Sequence, residues 1–147
     1  MKPTPPGWPR ISSAVFYDDA AGAIEWLVKA FGFNVRLKVP GEAGRIEHSE
    51  LEFGEGLIMV ASLGGRGRDW PKSPASVGGA NTQALFAYVD DVDAHCERAR
   101  SHGAVIVEEP KNTDHGPEYW EDRSYLCRDP GGHYWWFGER IKTHGAK

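Results

Sequence analysis

The chain is poor in the residues that define several classes of protein. Its 147 residues include only two cysteines, Cys96 and Cys127, which are too few for a disulfide framework and lack the spacing of a zinc motif. We therefore expect a cytoplasmic protein whose two thiols are small buried apolar groups. No apolar run reaches the length of a membrane span, and the N-terminal segment lacks the apolar region of a secretory signal.

An excess of positive charge is also missing. The formal net charge is −4, whereas a nucleic-acid-binding domain usually carries a basic patch or stripe. We therefore expect neither a nucleic acid nor a membrane as a partner. The 40% hydrophobic and 26% charged content is ordinary for a globular protein, and this length is most simply one domain.

An internal repeat organises the chain. Residues 10–63 and 83–140 each predict a strand, a helix and three further strands. The segment Phe16-Tyr17-Asp18-Asp19-Ala20 recurs 72 positions later as Tyr88-Val89-Asp90-Asp91-Val92, and both acidic pairs have the chemistry of helix N-caps. We interpret the chain as two modules of the same βαβββ order, joined by a linker at 64–82.

Periodicity and turn residues give the individual elements. Strands are predicted over 11–17, 33–39, 45–53, 57–63, 84–89, 104–108, 123–128 and from Tyr134, and helices over 20–31 and 92–102. Residues 1–9 form an extended arm that Trp8 pins to the body or to a partner subunit. The linker is a flexible segment with Trp70 as an exposed anchor, residues 110–117 are a loop, and the tail 141–147 is frayed.

The most informative stretch is the eighth strand. The turn Asp129-Pro130-Gly131-Gly132 precedes a run of aromatic residues, Tyr134 to Phe137. In a strand, Trp135 and Phe137 share one face, while Tyr134 and Trp136 share the other. One pair can face a core, and the other pair then needs a second core or a ligand.

Several segments together resemble a known superfamily over nearly the whole chain after residue 9. They are Ala23-Ile24-Glu25-Trp26, Ala30-Phe31-Gly32-Phe33, Tyr88 to Ala94, Gly103-Ala104 and Asp129 to Trp135. In this order and spacing they resemble the vicinal oxygen chelate superfamily, which includes glyoxalase I, bleomycin-resistance proteins and extradiol dioxygenases. The resemblance implies an α+β fold with two βαβββ modules, whose curved mixed sheets enclose a cavity, usually within a homodimer.

The superfamily often carries four metal ligands, on its first, fourth, fifth and eighth strands. In this sequence those positions fall on Ser12, Met59, Ala84 and Trp136. These residues cannot supply the histidine and carboxylate set that suits zinc, nickel or iron. We therefore expect no metal and no cofactor, as in a bleomycin-resistance-like branch of the superfamily that lacks the metal ligands.

Strand alternation extends the set of residues that face the cavity. Leu51 and Leu126 suit the core, which turns His48 and Glu50 inward on the third strand, and Arg123, Tyr125 and Cys127 inward on the seventh. The predicted ligand-binding residues are Ser12, His48, Glu50, Met59, Phe86, Tyr88, Arg123, Tyr125 and Trp136. No catalytic residue is assigned.

Structural alternatives remain open for most of these residues. Trp136 and Tyr88 also suit a closed core. Arg123 and Glu50 also suit an ion pair across the cavity, and His48 also suits a hydrogen-bonded structural histidine. A different metal site would draw on the loop cluster His115, Glu118, Glu121, Asp122 and His133.

Three functions are therefore compared. The first is a metal-free protein that sequesters an aromatic or charged compound. The second is a lyase, isomerase or dioxygenase that uses a relocated metal or the pair His48 and Glu50 for acid–base chemistry. The third is a dimeric interaction module whose cavity is filled by its own side chains. The first is favoured, because the metal positions are lost while polar residues beside them remain.

Overall fold

The computed structural model describes residues 1–145. It divides the chain into two compact units, Met1–Gly79 and Ala80–Lys147. The elements are β1 (Ser13–Tyr17), α1 (Ala20–Phe31), β2 (Asn34–Pro40), β3 (Ile46–Phe53), β4 (Gly56–Ser62), β5 (Leu85–Tyr88), α2 (Val92–Ser101), β6 (Val105–Asp114), β7 (Trp120–Arg128) and β8 (Tyr134–Thr143). Module 1 denotes β1 to β4 with α1, and module 2 denotes β5 to β8 with α2.

Each module forms one mixed sheet of four strands, in the order β1-β4-β3-β2 or β5-β8-β7-β6. The first strand of each module pairs in parallel with the last, and the other pairs are antiparallel. The predicted α+β class and the two βαβββ modules are confirmed.

The repeated acidic pairs begin the helices, as predicted. Asp19 accepts a hydrogen bond from the Gly22 amide, and Asp91 accepts one from the Ala94 amide. In each pair it is the second aspartate that caps. Helix α1 ends at Gly32, whose φ of 89° lies in the left-handed region that glycine adopts without strain.

The core of module 2 is aromatic and lies between α2 and the sheet. Trp135, Phe137 and Tyr125 are buried, and the Phe137 ring stacks on both others, with centroids 6.0 Å from Trp135 and 5.5 Å from Tyr125. The Trp135 indole N–H donates to the Asp129 carboxylate over 2.9 Å. Trp135 and Phe137 are therefore the core pair of the aromatic strand, and Trp136 is on the other face.

Both cysteines are buried, as predicted. Burial raises the pKa of Cys96 to about 11 and that of Cys127 to about 12. Since the thiolate is the reactive form, both residues act as inert apolar groups at neutral pH.

The last three strands are longer than predicted. Strand β6 runs to Asp114 and β7 begins at Trp120, so most of the predicted loop over 110–117 belongs to a strand. The ladder passes Pro110 by a register shift between Glu108 and Lys111. Strand β8 continues to Thr143, so Lys142 and Thr143 of the predicted frayed tail are paired with β7, while Ala146 and Lys147 lie outside the described residues.

The predicted linker over 64–82 is mostly exposed, and its buried residues are Pro71, Ser73 and Pro74. It contains short 3-10 turns at Gly65–Gly67 and Pro74–Val77. Ser73 is buried and its hydroxyl donates to the Asp18 carboxylate over 2.8 Å. Trp70 is exposed, as predicted, with its ring 6.1 Å from that of Phe16 in an edge contact.

The N-terminal arm contacts module 1 through Arg36. The Arg36 guanidinium lies 4.8 Å from the centre of the Trp8 ring and donates to the Gly7 carbonyl over 2.6 Å. Trp8 therefore rests on the chain's own body. Among the described residues, neither helix is long and apolar enough to cross a membrane.

Candidate ligand-binding faces

Each sheet has one face toward its helix and one face away from it, and we call the latter the open face of that module. In module 2 the helix-facing side is defined by contacts to α2: Tyr125 bonds His95, Arg123 bonds Asp93, and Glu139 bonds the amide of Val92. Because side chains alternate along a strand, the even-numbered residues of β7 from Asp122 and of β8 as far as Arg140 point the other way, and a register shift follows beyond them.

Three aromatic side chains lie together on the open face of module 2. Phe86 pairs with Trp136 in the register of β5 and β8, and Tyr88 follows two residues later. The rings of Phe86 and Tyr88 are 5.0 Å apart at 73°, and each residue is 51% exposed. We call Phe86, Tyr88 and Trp136 the aromatic platform. All three were predicted as ligand-binding residues.

Gly138 makes room for this arrangement. It is the register partner of Tyr88, and a Cβ atom at Gly138 would lie 2.8 Å from Cζ of Phe86. The Phe86 ring therefore covers the backbone of β8 at a position where any other residue would displace it.

A fixed charge pair lies beside Tyr88. The Tyr88 hydroxyl donates to Asp122 Oδ2 over 3.1 Å and accepts from Arg140, whose Nε bonds Asp122 Oδ1. The Arg140 guanidinium also lies over two rings, 5.5 Å from Tyr88 and 5.0 Å from Trp120. Arg140 was not predicted as a site residue. Extending the alternation of β8 beyond Phe137 would have placed it on this face.

The predicted orientation of β7 is wrong by one residue. Tyr125 is fully buried on the helix side, where its hydroxyl lies 2.7 Å from Nδ1 of His95, and burial raises its pKa far above the ordinary value. Arg123 bonds Asp93 bidentately, at 2.8 and 2.9 Å. Cys127 is buried on the same side, and Leu126 lies on the open face as the register partner of Trp136.

The physical reason is that α2 offers polar partners to the sheet. Asp93 and His95 lie on the side of α2 that meets β7, so an arginine and a tyrosine hydroxyl are satisfied beneath the helix. Polarity therefore did not distinguish the two faces of this strand. Arg123 and Tyr125 leave the candidate set.

The open face of module 1 carries a polar cluster of Arg36, His48 and Glu50, whereas that of module 2 carries aromatic rings. One carboxylate oxygen of Glu50 accepts a hydrogen bond from Arg36. The other oxygen, Oε2, lies 2.9 Å from Nε2 of His48. Glu50 is also the register partner of Met59. The hydrogen bond from His48, followed by the bond and charge of Arg36, lowers the pKa of Glu50, so its carboxylate stays ionised at neutral pH.

Glu50 is paired with Arg36, and Arg123 is paired with Asp93. Arg36, which was not predicted as a site residue, holds Glu50 from a β-bulge in β2, between Val35 and Leu37. Ser12 lies just before β1. Its hydroxyl oxygen is buried, and no described residue gives it a hydrogen bond.

The donor set does not fit the metal that the superfamily often carries. The positions that the resemblance assigns to the metal ligands hold a hydroxyl, a thioether, a methyl group and an indole, at Ser12, Met59, Ala84 and Trp136. Within residues 1–145, no group of three or more histidine, cysteine, aspartate or glutamate side chains lies close enough to hold a metal ion. The loop residues around His115 therefore do not form such a group among the described residues.

Residues 10–137 match the Glyoxalase/Bleomycin resistance protein/Dioxygenase superfamily. The match spans most of the chain and agrees with the βαβββ topology of both modules. The chain belongs to this superfamily.

Three proteins represent what the chain is similar to, one by sequence and two by structure. The uncharacterized protein Rv0887c of Mycobacterium tuberculosis is 32% identical over 139 residues, covering 91% of this chain and 76% of that protein. The crystal structure of TioX from Micromonospora sp. ML1 is 32% identical with a TM-score of 0.66, covering 89% of this chain and 95% of that one. TnmS3, an antibiotic binding protein from Streptomyces sp. CB03234, is 22% identical with a TM-score of 0.59, covering 88% and 93%.

Proposed function

We propose that the protein is a metal-free binding protein that sequesters a small aromatic or charged compound. The observation that carries the proposal is the pair Phe86 and Tyr88, adjacent on one sheet face and each 51% exposed. Their rings expose apolar area that a flat aromatic molecule can cover by stacking. Trp136, the register partner of Phe86 on the neighbouring strand, extends the same surface across the sheet.

The chemistry of the platform suits a small-molecule site. Such sites are mostly apolar, with a few fixed polar groups that orient the ligand. Here the rings supply the apolar part, and Asp122 with Arg140 supplies the polar part beside Tyr88. On module 1, Ser12, His48, Glu50 and Met59 remain proposed ligand contacts, with Glu50 as the group that would meet a cation.

A relative supports the class of function. TnmS3 is described as an antibiotic binding protein, and it shares the fold of this chain. The superfamily itself includes bleomycin-resistance proteins. Neither fact names the compound that this chain binds.

The test is a thermal-shift screen of aromatic compounds, followed by calorimetric titration of those that stabilise the protein. Phe86→Ala should weaken binding about tenfold, because stacking on one ring contributes on the order of 1 kcal/mol or more. Tyr119→Ala is the matched control, since Tyr119 is 54% exposed and is not part of the platform. Equal affinities for both variants would contradict the proposal.

A second candidate function rests on the contact between His48 and Glu50. Since Arg36 and His48 keep Glu50 ionised, the carboxylate orients the imidazole, and His48 is the group available as a general base. Such a base would exchange a carbon-bound proton of a bound ligand with solvent. NMR would detect deuterium entering the ligand in heavy water, and loss of this exchange in His48→Gln would support the enzyme.

A further inference from the structure

The charge that module 2 presents beside its aromatic platform is positive. Asp122 is only 7% exposed, whereas the side chain of Arg140 is 37% exposed. The Asp122 carboxylate bonds both Tyr88 and Arg140, so it acts as an internal support for these two groups. A ligand that lies on the platform therefore meets the guanidinium before it meets the carboxylate.

Arg140 is held in one place before any ligand binds. Its Cζ atom lies 5.5 Å from the centre of the Tyr88 ring and 5.0 Å from that of Trp120, and its Nε bonds Asp122. The hydrogen bond to Asp122 is also the main reason that the pKa of Arg140 is raised, so the group stays cationic. Fixing the side chain in this way removes part of the entropy cost of a new contact.

Arg140 also keeps unused donors. A guanidinium carries five N–H groups. Three of them point to Asp122, to the Tyr88 hydroxyl and, over a long 3.4 Å, to the Thr143 hydroxyl. The described residues leave the other two N–H groups for a ligand. The Tyr88 hydroxyl already donates to Asp122, so it has no proton to offer.

From these observations we infer that the platform selects aromatic anions: the rings of Phe86, Tyr88 and Trp136 cover the aromatic part, and Arg140 binds a carboxylate, sulfonate or phosphate group on its edge. This inference rests on the proposed function and adds the ligand class. The rings of Phe86 and Tyr88 meet edge to face at 73°, and the Tyr88 hydroxyl accepts from Arg140. One flat molecule that stacks on one ring therefore contacts the edge of the other and lies within reach of the guanidinium.

Three matched probes test the selection: 2-naphthoate, 2-naphthalenemethanol and 2-naphthylmethylammonium, titrated by calorimetry into the full chain. The anion should bind about tenfold more tightly than the alcohol, since a charge-assisted hydrogen bond is stronger than a neutral one. The ammonium probe should bind more weakly than the alcohol. Higher salt should reduce the advantage of the anion.

Variants separate the inference from the function on which it rests. Arg140→Gln should remove the preference for the anion and change the affinity for the alcohol less than about twofold, while Arg140→Lys should keep part of the preference. Arg123→Gln is the matched control, since it removes an arginine paired with Asp93 on the opposite face of the same sheet. Thermal unfolding of each variant reports whether it is folded.

The outcomes differ for the two claims. Equal binding of the three probes, or an anion preference that persists in Arg140→Gln, overturns the aromatic-anion inference and leaves the binding function in place. No measurable binding of any probe to the folded protein overturns the platform as a binding site, and the inference with it.

Discussion

Neighbouring residues of β8 have opposite roles. Trp135 is 1% exposed, stacks on Phe137 and bonds Asp129, whereas Trp136 is half-buried on the open face beside Phe86. The aromatic run is therefore divided between folding and the proposed binding, one residue at a time.

A pair of variants tests this division. Trp135→Ala should destabilise the protein by about 3–5 kcal/mol, the usual cost of truncating a buried tryptophan. Trp136→Ala should cost less than half of that and should weaken ligand binding more than it weakens folding. Urea unfolding of both variants without ligand measures the difference, and similar losses would place Trp136 in a closed core.

Glu50 makes stability depend on pH in a known direction. Its folded pKa is lowered from an ordinary value of 4.5, chiefly by its hydrogen bond with His48. Because ionised Glu50 is favoured in the folded state, its contribution is fully present above about pH 4.5 and is lost as the pH falls through the folded pKa.

The corresponding variant is Glu50→Gln. At pH 7 it should be less stable than the parent protein, and the difference in unfolding free energy should shrink as the pH falls below about 4.5. Glu55→Gln, exposed at the β3–β4 turn, is the control. Urea titrations between pH 3 and pH 7 measure the effect, and a difference that stays constant over this range would disprove the role of Glu50.

At the scale of elements, short-range signals located the helices and long-range pairing determined the strands. The bounds of α1 agree with the prediction at both ends, because an aspartate cap and a glycine stop are local signals. The extension of β6, β7 and β8 was not foreseen, since it depends on pairing between segments far apart in sequence, such as Glu121 with Lys142.

The contact between β5 and β8 gives a prediction about Gly138. Gly138→Ala should displace the Phe86 ring and destabilise the protein by about 1 kcal/mol, the lower end of the cost of overpacking, because the atom that must move is the far end of a side chain that is 51% exposed. In a Phe86→Ala background the same change should be neutral or stabilising by about 0.5–1 kcal/mol, because alanine is less costly than glycine in a strand. A double-mutant cycle by urea unfolding checks the coupling, and additive effects would show that Phe86 does not lie over Gly138.

At the scale of the molecule, the sequence was sufficient for the two modules and their superfamily, and insufficient for the site. The face of the sheet on which Phe86, Tyr88 and Trp136 lie was predictable, because period-two alternation is reliable where one face is clearly apolar, as with Trp135 and Phe137. Arg123 and Tyr125 were misplaced because the helix above β7 is itself polar at the contact. No local pattern carried that information.

The resemblance also predicts a homodimer, which we retain as a proposal. It predicts that light scattering on the purified protein gives twice the chain mass of 16.3 kDa. The apolar residues Leu37 and Val39 of the edge strand β2 are 43% and 40% exposed, and a second copy would cover such area. A concentration series that gives the monomer mass throughout would contradict it.

The most direct test of the binding function is an NMR titration of the ¹⁵N-labelled protein with 2-naphthoate. The account predicts chemical-shift changes concentrated on β5 and on the amides of Trp136, Gly138 and Arg140, with little change along α2. Changes confined to α2 or to surfaces away from the platform, or no changes at all, would contradict the assignment of the aromatic platform as the ligand-binding face.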